Sequence, residues 1–97
     1  MQVTILDIAE KDLEHGFLFY EKQSIGLGVY FLDSLYSDID SLMFYAAIHS
    51  QYLNYYRALS KRFPFAIYYK IEKDIVIVYS VFDCRNNPNK IISKLSN

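Results

Sequence analysis

Basic side chains interleaved with aromatic ones in the second half of the chain are its strongest chemical signal. Arg57 follows two tyrosines, and Lys61 and Arg62 precede a Phe-Pro-Phe run. Arg85 lies three positions after the end of the hydrophobic stretch at 75–82. A guanidinium binds phosphate or carboxylate through paired hydrogen bonds, and aromatic rings stack on bases or on cations. We therefore treat Arg57, Lys61, Arg62 and Arg85 as candidates for binding an anionic target, with a simple surface salt bridge or solvated face as the competing interpretation.

The distribution of charge along the chain points the same way. Residues 1–50 carry eight acidic and two basic side chains, a net charge of −6, whereas residues 51–97 carry eight basic and three acidic ones, a net charge of +5. An anionic partner would be attracted by the C-terminal half. The overall net charge of −1 and a pI near 6.0 are poor for a protein that binds many phosphates.

Several kinds of chemistry are disfavoured by residue type or spacing. Cys84 is the only cysteine, which excludes an intramolecular disulfide and a cysteine zinc site, and we expect it to be a packed side chain. His15 and His49 lack the neighbouring ligands that a metal site needs, and residues 26–28 (Gly-Leu-Gly) do not form a phosphate-loop motif. We expect no metal, no cofactor and no small-molecule substrate. No apolar run reaches the length of about 20 residues that spans a bilayer, and no leader pattern is present, so we expect a cytoplasmic protein without membrane contact.

Hydrophobic periodicity predicts the elements that position these residues. Asp7 and Glu10 resemble a capping box at the start of the first helix, Lys73-Asp74 is typical of a hairpin turn, and residues 86–97 are expected to form a tail or a short helix. The other predicted elements are strands at 2–6, 52–60, 65–71 and 75–82, and a second helix at 29–45. This order predicts one α+β domain over residues 1–97, β-α-α-β-β-β with an optional final helix, in which a helical hairpin packs on a small, mainly antiparallel sheet.

A surplus of apolar surface predicts a protein partner. Leu18 and Phe19 lie off the buried stripe of the first helix, and the chain has ten tyrosines, of which Tyr55 and Tyr68 fall in predicted strands. Small monomers seldom expose large apolar patches, and tyrosine is common both in half-buried sheet faces and at interfaces. Leu18, Phe19, Tyr55 and Tyr68 are therefore candidates for a partner interface.

The run Lys-Arg-Phe-Pro-Phe-Ala-Ile-Tyr-Tyr at 61–69, followed by a hydrophobic strand that ends Val-Phe-Asp-Cys-Arg at 81–85, resembles the RelE/ParE toxin superfamily. The ParE-like plasmid stabilisation branch is the best match, and the upstream Gly-Leu-Gly at 26–28 and Tyr56-Arg57 are similar to that branch as well. The resemblance covers about residues 2–88.

This resemblance implies the toxin of a type II toxin–antitoxin system, neutralised by a cognate antitoxin. One branch cleaves messenger RNA on the ribosome, and another poisons DNA gyrase. Arg57 and Arg85 match two basic positions of the RNA-cleaving branch and are its catalytic candidates here. Ala66 and Leu59 stand where that branch often has arginine and lysine, and no tyrosine follows Arg85. The resemblance thus favours DNA gyrase as the target; the alternatives are a ribosome-dependent mRNA endoribonuclease and a diverged, non-toxic binding module.

Overall fold

The computed structural model describes residues 1–96, which form one five-stranded sheet with helices on both of its faces. A long helical hairpin covers one face and a short C-terminal helix the other. The elements, in chain order, are β1 (Gln2–Ile5), α1 (Asp7–Gln23), α2 (Leu27–Asp40), α3 (Leu42–Tyr45), β2 (Gln51–Tyr52), β3 (Tyr55–Leu59), β4 (Phe65–Glu72), β5 (Ile75–Asp83) and α4 (Pro88–Leu95).

The sheet has the strand order β1-β5-β4-β3-β2 and is mixed. β1 runs parallel to β5, with Gln2 opposite Ile75 and Ile5 opposite Val78, and the other neighbouring strands are antiparallel. Because β1 pairs only with residues 75–78, the second half of β5 has a strand neighbour on one side alone. The α+β class and the mainly antiparallel sheet predicted from the sequence are confirmed.

The prediction of one strand at 52–60 is wrong in one respect, because this region forms two strands, β2 and β3. Leu53 and Asn54 have positive φ angles of 52° and 69° and turn the chain between β2 and β3. Lys73 and Asp74, at 48° and 66°, do the same between β4 and β5, as predicted. Two consecutive left-handed residues are the signature of the two-residue hairpin turn whose twist matches that of the strands.

The start of α1 differs from the sequence prediction. Leu6 occupies the N-cap position, and no side chain of residues 1–96 caps the helix by a hydrogen bond, so the predicted capping box is wrong. Asp7 and Glu10 lie in the first turn instead, where carboxylates interact favourably with the positive end of the helix dipole.

Two glycines allow α1 and α2 to lie close together. A Cβ on Gly16 would fall 2.4 Å from the ring of Phe31, and one on Gly28 would fall 2.8 Å from the carbonyl oxygen of Phe17. At the link, Gly26 has a φ of 90°. The carboxylate of Glu21 accepts hydrogen bonds from the backbone N–H of Gly26 and of Gly28 at 2.9–3.1 Å, so Glu21 satisfies the first free donors of α2.

The alternation of side chains along the strands divides the core between the two faces. The larger cluster lies between the sheet and the α1–α2 hairpin and includes Leu13, Phe31, Leu35, Ile67 and Tyr69. The smaller cluster lies under α4 and consists of Tyr55, Ala66, Tyr68, Phe82, Ile91 and Leu95. The C-terminal residues predicted as a tail or a short helix therefore form a packed helix as far as Leu95. No helix within residues 1–96 is long and apolar enough to cross a membrane.

Candidate functional site

Arg57 lies on the α4 side of the sheet, in the middle of β3. Its Nε–H donates a hydrogen bond to the hydroxyl of Tyr68 at 3.0 Å, and its Nη2 lies 3.7 Å from Sγ of Cys84. The guanidinium carbon is 6.0 Å from the centre of the Tyr68 ring. The side chain is thus held in one orientation by groups from β4 and from the turn after β5.

The surroundings of Arg57 favour its charged form. Burial acts to lower the pKa of Arg57, but the hydrogen bonds to Tyr68 and Cys84 outweigh burial, so the pKa lies above its ordinary value. A half-buried guanidinium that stays charged is a strong local source of positive potential.

A pocket of about 400 Å³ opens in front of Arg57. Among residues 1–96, Arg57 is the only charged residue that lines it. The other lining residues are neutral polar, aromatic or aliphatic: Ser50, Gln51, Tyr52, Tyr68, Phe82, Cys84, Asn86, Pro88 and Ile91. The chemistry available there is recognition of one anionic group beside an apolar surface. Cys84 is exposed, so the expectation that it is a packed side chain is wrong.

Arg85 is engaged in a different environment. Its Nε and Nη2 donate to the two carboxylate oxygens of Asp83 at 2.9 and 2.7 Å, and Nη2 also donates to the hydroxyl of Tyr20 at 3.2 Å. The guanidinium carbon lies 5.2 Å from the ring centre of Phe19 and 5.7 Å from that of Tyr20. These contacts tie the end of β5 to α1.

The pKa shifts around Arg85 record the same pairing. The hydrogen bond from Arg85 holds the pKa of Asp83 below its ordinary value, and the hydrogen bond to Asp83 raises the pKa of Arg85. Burial raises the pKa of Tyr20, against the opposing effect of the nearby guanidinium. The positive charge of Arg85 is therefore compensated by Asp83, and the side chain links the end of β5 to α1.

The structure does not bring the two candidate arginines together. The guanidinium of Arg57 faces the α4 side, whereas that of Arg85 reaches α1 on the opposite side of the sheet, and the two share no hydrogen-bond partner. Each group is therefore held by its own partners, and none of the hydrogen bonds given for residues 1–96 links the two.

Lys61 and Arg62 lie in the exposed loop between β3 and β4. The backbone N–H of Lys61 and the hydroxyl of Ser60 both donate to Asp38 Oδ2, at 3.2 and 2.7 Å. These hydrogen bonds tie the loop to the end of α2. Lys61 borders a smaller pocket of about 290 Å³, which is also lined by Tyr45 and shares no lining residue with the pocket at Arg57.

The four candidates for a partner interface fall into two groups. Leu18 and Phe19 are on the surface of α1, 49% and 47% exposed. Tyr55 and Tyr68 are buried under α4, and the Tyr55 hydroxyl donates to the carbonyl of Leu95. Only Leu18 and Phe19 offer surface to a partner while α4 is in place.

A polar cluster that sequence reasoning missed joins three elements at the free edge of β5. Asp12 on α1 accepts hydrogen bonds from the backbone N–H of Val81 at 3.0 Å and from the hydroxyl of Ser80 at 3.2 Å. Its other oxygen forms an ion pair with Lys94 of α4. These partners are 68 to 82 positions away in the sequence, so no local pattern could have revealed the cluster.

His49 has a structural environment. Its Nδ1 lies 2.6 Å from the hydroxyl of Tyr69, which also accepts a hydrogen bond from the backbone N–H of Ala47. Burial lowers the pKa of His49, which favours the neutral ring that can accept from Tyr69. Across residues 1–96, no three histidine, cysteine or carboxylate side chains are grouped so that they could hold a metal ion.

Comparison with known proteins places the fold. No protein-family model and no curated protein matches the sequence. Among solved structures, a chain described as the chromosomal ParDE TA (toxin–antitoxin) system from P. aeruginosa superposes with a TM-score of 0.74, over 86% of this chain and 95% of that one, at 15% sequence identity. The protein therefore has the RelE/ParE-like fold, as the resemblance in the sequence predicted.

Proposed function

We propose that this chain is the toxin of a type II toxin–antitoxin system of the plasmid stabilisation kind, that a cognate antitoxin holds it inactive, and that it acts in the cytoplasm by binding DNA gyrase. The observation that supports a toxin is the fold shared with the ParDE chain over most of both lengths. The resemblance at residues 61–69 and 81–85 supports it independently from the sequence.

Action by binding rather than by catalysis is favoured by the separation of Arg57 from Arg85. A nuclease that acts through arginine side chains needs several groups that converge on one phosphate to stabilise its developing charge. Here Arg57 stands alone among neutral residues in its pocket, and Arg85 is neutralised by Asp83. A protein that traps an enzyme needs only a complementary surface, to which the target-binding candidates Arg57, Lys61 and Arg62 would contribute. The exposed Leu18 and Phe19 remain candidates for the antitoxin interface.

The first test is inducible expression in a bacterium of the wild type, Arg57→Ala and the control Lys22→Gln, which changes an exposed residue at the end of α1. Growth and the incorporation of labelled thymidine and leucine are followed after induction. DNA synthesis should stop first, the control should remain toxic, and Arg57→Ala should be less toxic. Purified protein should block supercoiling by gyrase, and intact supercoiling at excess protein would refute this target.

The alternative of a ribosome-dependent endoribonuclease is supported by the aromatic rings of Tyr52 and Tyr68 beside Arg57. It predicts that protein synthesis stops first. Primer extension on translated messages would then show cuts that disappear in Arg57→Ala and Arg85→Ala. Normal growth on expression of the wild type, with an antitoxin still bound, would instead indicate a non-toxic binding module.

A further inference from the structure

We propose that the Arg57 pocket receives a carboxylate side chain from an extended, acidic segment of the partner protein, with an apolar residue of the same segment beside it. The identification of that partner as the antitoxin rests on the proposed function. The binding site itself is argued without the proposed function, from the charge and shape of the pocket and from its position beside the edge strand.

The first step is that the charge of Arg57 is uncompensated. Within residues 1–96, Arg57 has no ion-pair partner. Its Nε–H is used by Tyr68 and one Nη2 hydrogen faces Cys84, whereas Nη1 donates to no group of the described chain. The end of the guanidinium formed by Nη1 and Nη2 is thus available, and this end can bind both oxygens of a carboxylate.

The second step is that the pocket suits a side chain with an apolar neighbour. The exposed Pro88 and the small exposed parts of Phe82 and Ile91 supply apolar surface, and Gln51 and Asn86 supply neutral donors and acceptors. A volume of about 400 Å³ has room for more than one side chain. Apolar contact beside a charged pair excludes water and strengthens the pair.

The third step is that the edge strand β2 forms one side of the pocket, whose other sides are formed by β4, the end of β5 and α4. β2 is the terminal strand, pairs only with β3, and is exposed along both of its residues, Gln51 and Tyr52. Both residues also line the pocket. An extended segment that pairs with the outer edge of a strand gains main-chain hydrogen bonds and directs alternate side chains to one face. Such a segment beside β2 would bring a side chain to Arg57.

A polyanion fits this site less well than a single carboxylate. Binding of nucleic acid gains most of its affinity from several phosphate contacts together. The other candidate cations do not reach this pocket: Lys61 borders a separate one, and Arg85 is paired with Asp83 on the other side of the sheet. One guanidinium, whose Nη1 and Nη2 groups can donate in parallel to two oxygens, matches one carboxylate.

The consequence for the proposed function concerns inhibition. If Arg57 contacts the toxin's target, a partner carboxylate on Arg57 blocks that contact directly. The antitoxin would then inhibit by occupying the target-binding residue, without any change in the fold of the toxin.

The test is an NMR titration of the ¹⁵N-labelled protein with two blocked peptides, acetyl-Ala-Leu-Glu-Leu-Ala-amide and the same peptide with Gln in place of Glu. A short oligouridylate serves as the nucleic-acid probe. The Glu peptide should shift the Arg57 Nε–H signal and the backbone signals of residues 50–52, 84 and 86. It should bind at least about tenfold more tightly than the Gln peptide, as a charged hydrogen-bonded pair does over a neutral one.

Variants separate charge recognition from folding. Arg57→Gln should remove the difference between the two peptides, Arg57→Lys should retain part of it, and Lys22→Gln should behave as the wild type, with the thermal unfolding of each variant recorded alongside. Equal binding of the two peptides, no shifts at these residues, or tighter binding of the oligouridylate at the same residues would each overturn the proposal. Peptide binding through Arg57 in a chain that is not toxic would leave the site intact and refute only the toxin assignment.

Discussion

Replacement of Asp12 by alanine should cost about 3 kcal/mol of the free energy of unfolding, because this carboxylate holds α1, β5 and α4 together. It accepts hydrogen bonds from the Val81 N–H and the Ser80 hydroxyl, and it is paired with Lys94. The Asp12 side chain is only 11% exposed, and β1 does not extend as far as Val81. The variant therefore leaves the buried backbone N–H of Val81 without its partner, which costs about 1–3 kcal/mol. Each hydrogen bond to a charged group that is lost costs at most a similar amount.

A second variant separates the contribution of the ion pair from that of the two hydrogen bonds to β5. Lys94→Met removes the ion pair and keeps both hydrogen bonds to β5, and since Lys94 is 26% exposed, its loss should cost only about 1 kcal/mol. A loss of about 3 kcal/mol in a domain of this size lowers the melting temperature by roughly 12–24 °C.

The assay is urea and thermal unfolding of the wild type, Asp12→Ala, Lys94→Met and the double variant, with Asp33→Ala on the exposed face of α2 as a matched control. The double variant should be about as unstable as Asp12→Ala alone, since the ion pair is lost in both. The reasoning fails if Asp12→Ala lies within about 0.5 kcal/mol of the control, which is the scatter of ordinary surface substitutions. It also fails if Lys94→Met costs as much as Asp12→Ala.

Three other predictions concern packing and pH. Gly16→Ala should destabilise the protein by about 1–3 kcal/mol in urea unfolding, because the new methyl group would overlap the ring of Phe31. The pKa of Asp83 is lowered by Arg85 from its ordinary value of 3.8. The contribution of Asp83 to the free energy of unfolding is therefore present above pH 3.8 and is lost as pH falls through the lowered pKa. Asp83→Asn should flatten the acid side of the curve of stability against pH. The pKa of His49 is lowered by burial, so on acidification the unfolded chain binds a proton at this residue before the folded chain does. The free energy of unfolding should therefore fall as pH drops below about 6.5. His49→Gln should remove this fall, and an unchanged fall would contradict its attribution to His49.

The order and type of the elements could be predicted because the spacing of hydrophobic residues changes near residue 50 from a period of 3.6 to a period of 2. The first period is that of a helix with one buried face, and the second is that of a strand with one buried face. The division of the strand predicted at 52–60 could not. Its turn places Leu53 in the left-handed region, which a leucine adopts only when its neighbours fix it there. Asn54 alone was too weak a signal.

The sequence supplied the candidate residues of the site, and it did not predict how the structure arranges them. The position of Arg57 on the α4 side follows from alternation along β3, but Arg85 follows the end of β5, where alternation no longer fixes the direction of a side chain. Tyr55 and Tyr68 were placed correctly in strands, whereas their burial depends on α4. That helix packs on the two tyrosines from 20 to 40 positions further along the chain, so the pattern of the strands alone does not predict their burial.

The asymmetry of charge in the sequence becomes an asymmetry in space, and this constrains where a partner can bind. All ten charged side chains of the first half lie within residues 7–40, the α1–α2 hairpin, which carries the net charge of −6 on one face of the sheet. The basic excess lies in the strands, their loops and α4. An anionic segment is therefore repelled by the hairpin and attracted to the remainder of the molecule. Arg57 lies on the face turned away from the hairpin, so the long-range field and the local pocket direct an acidic partner to the same place.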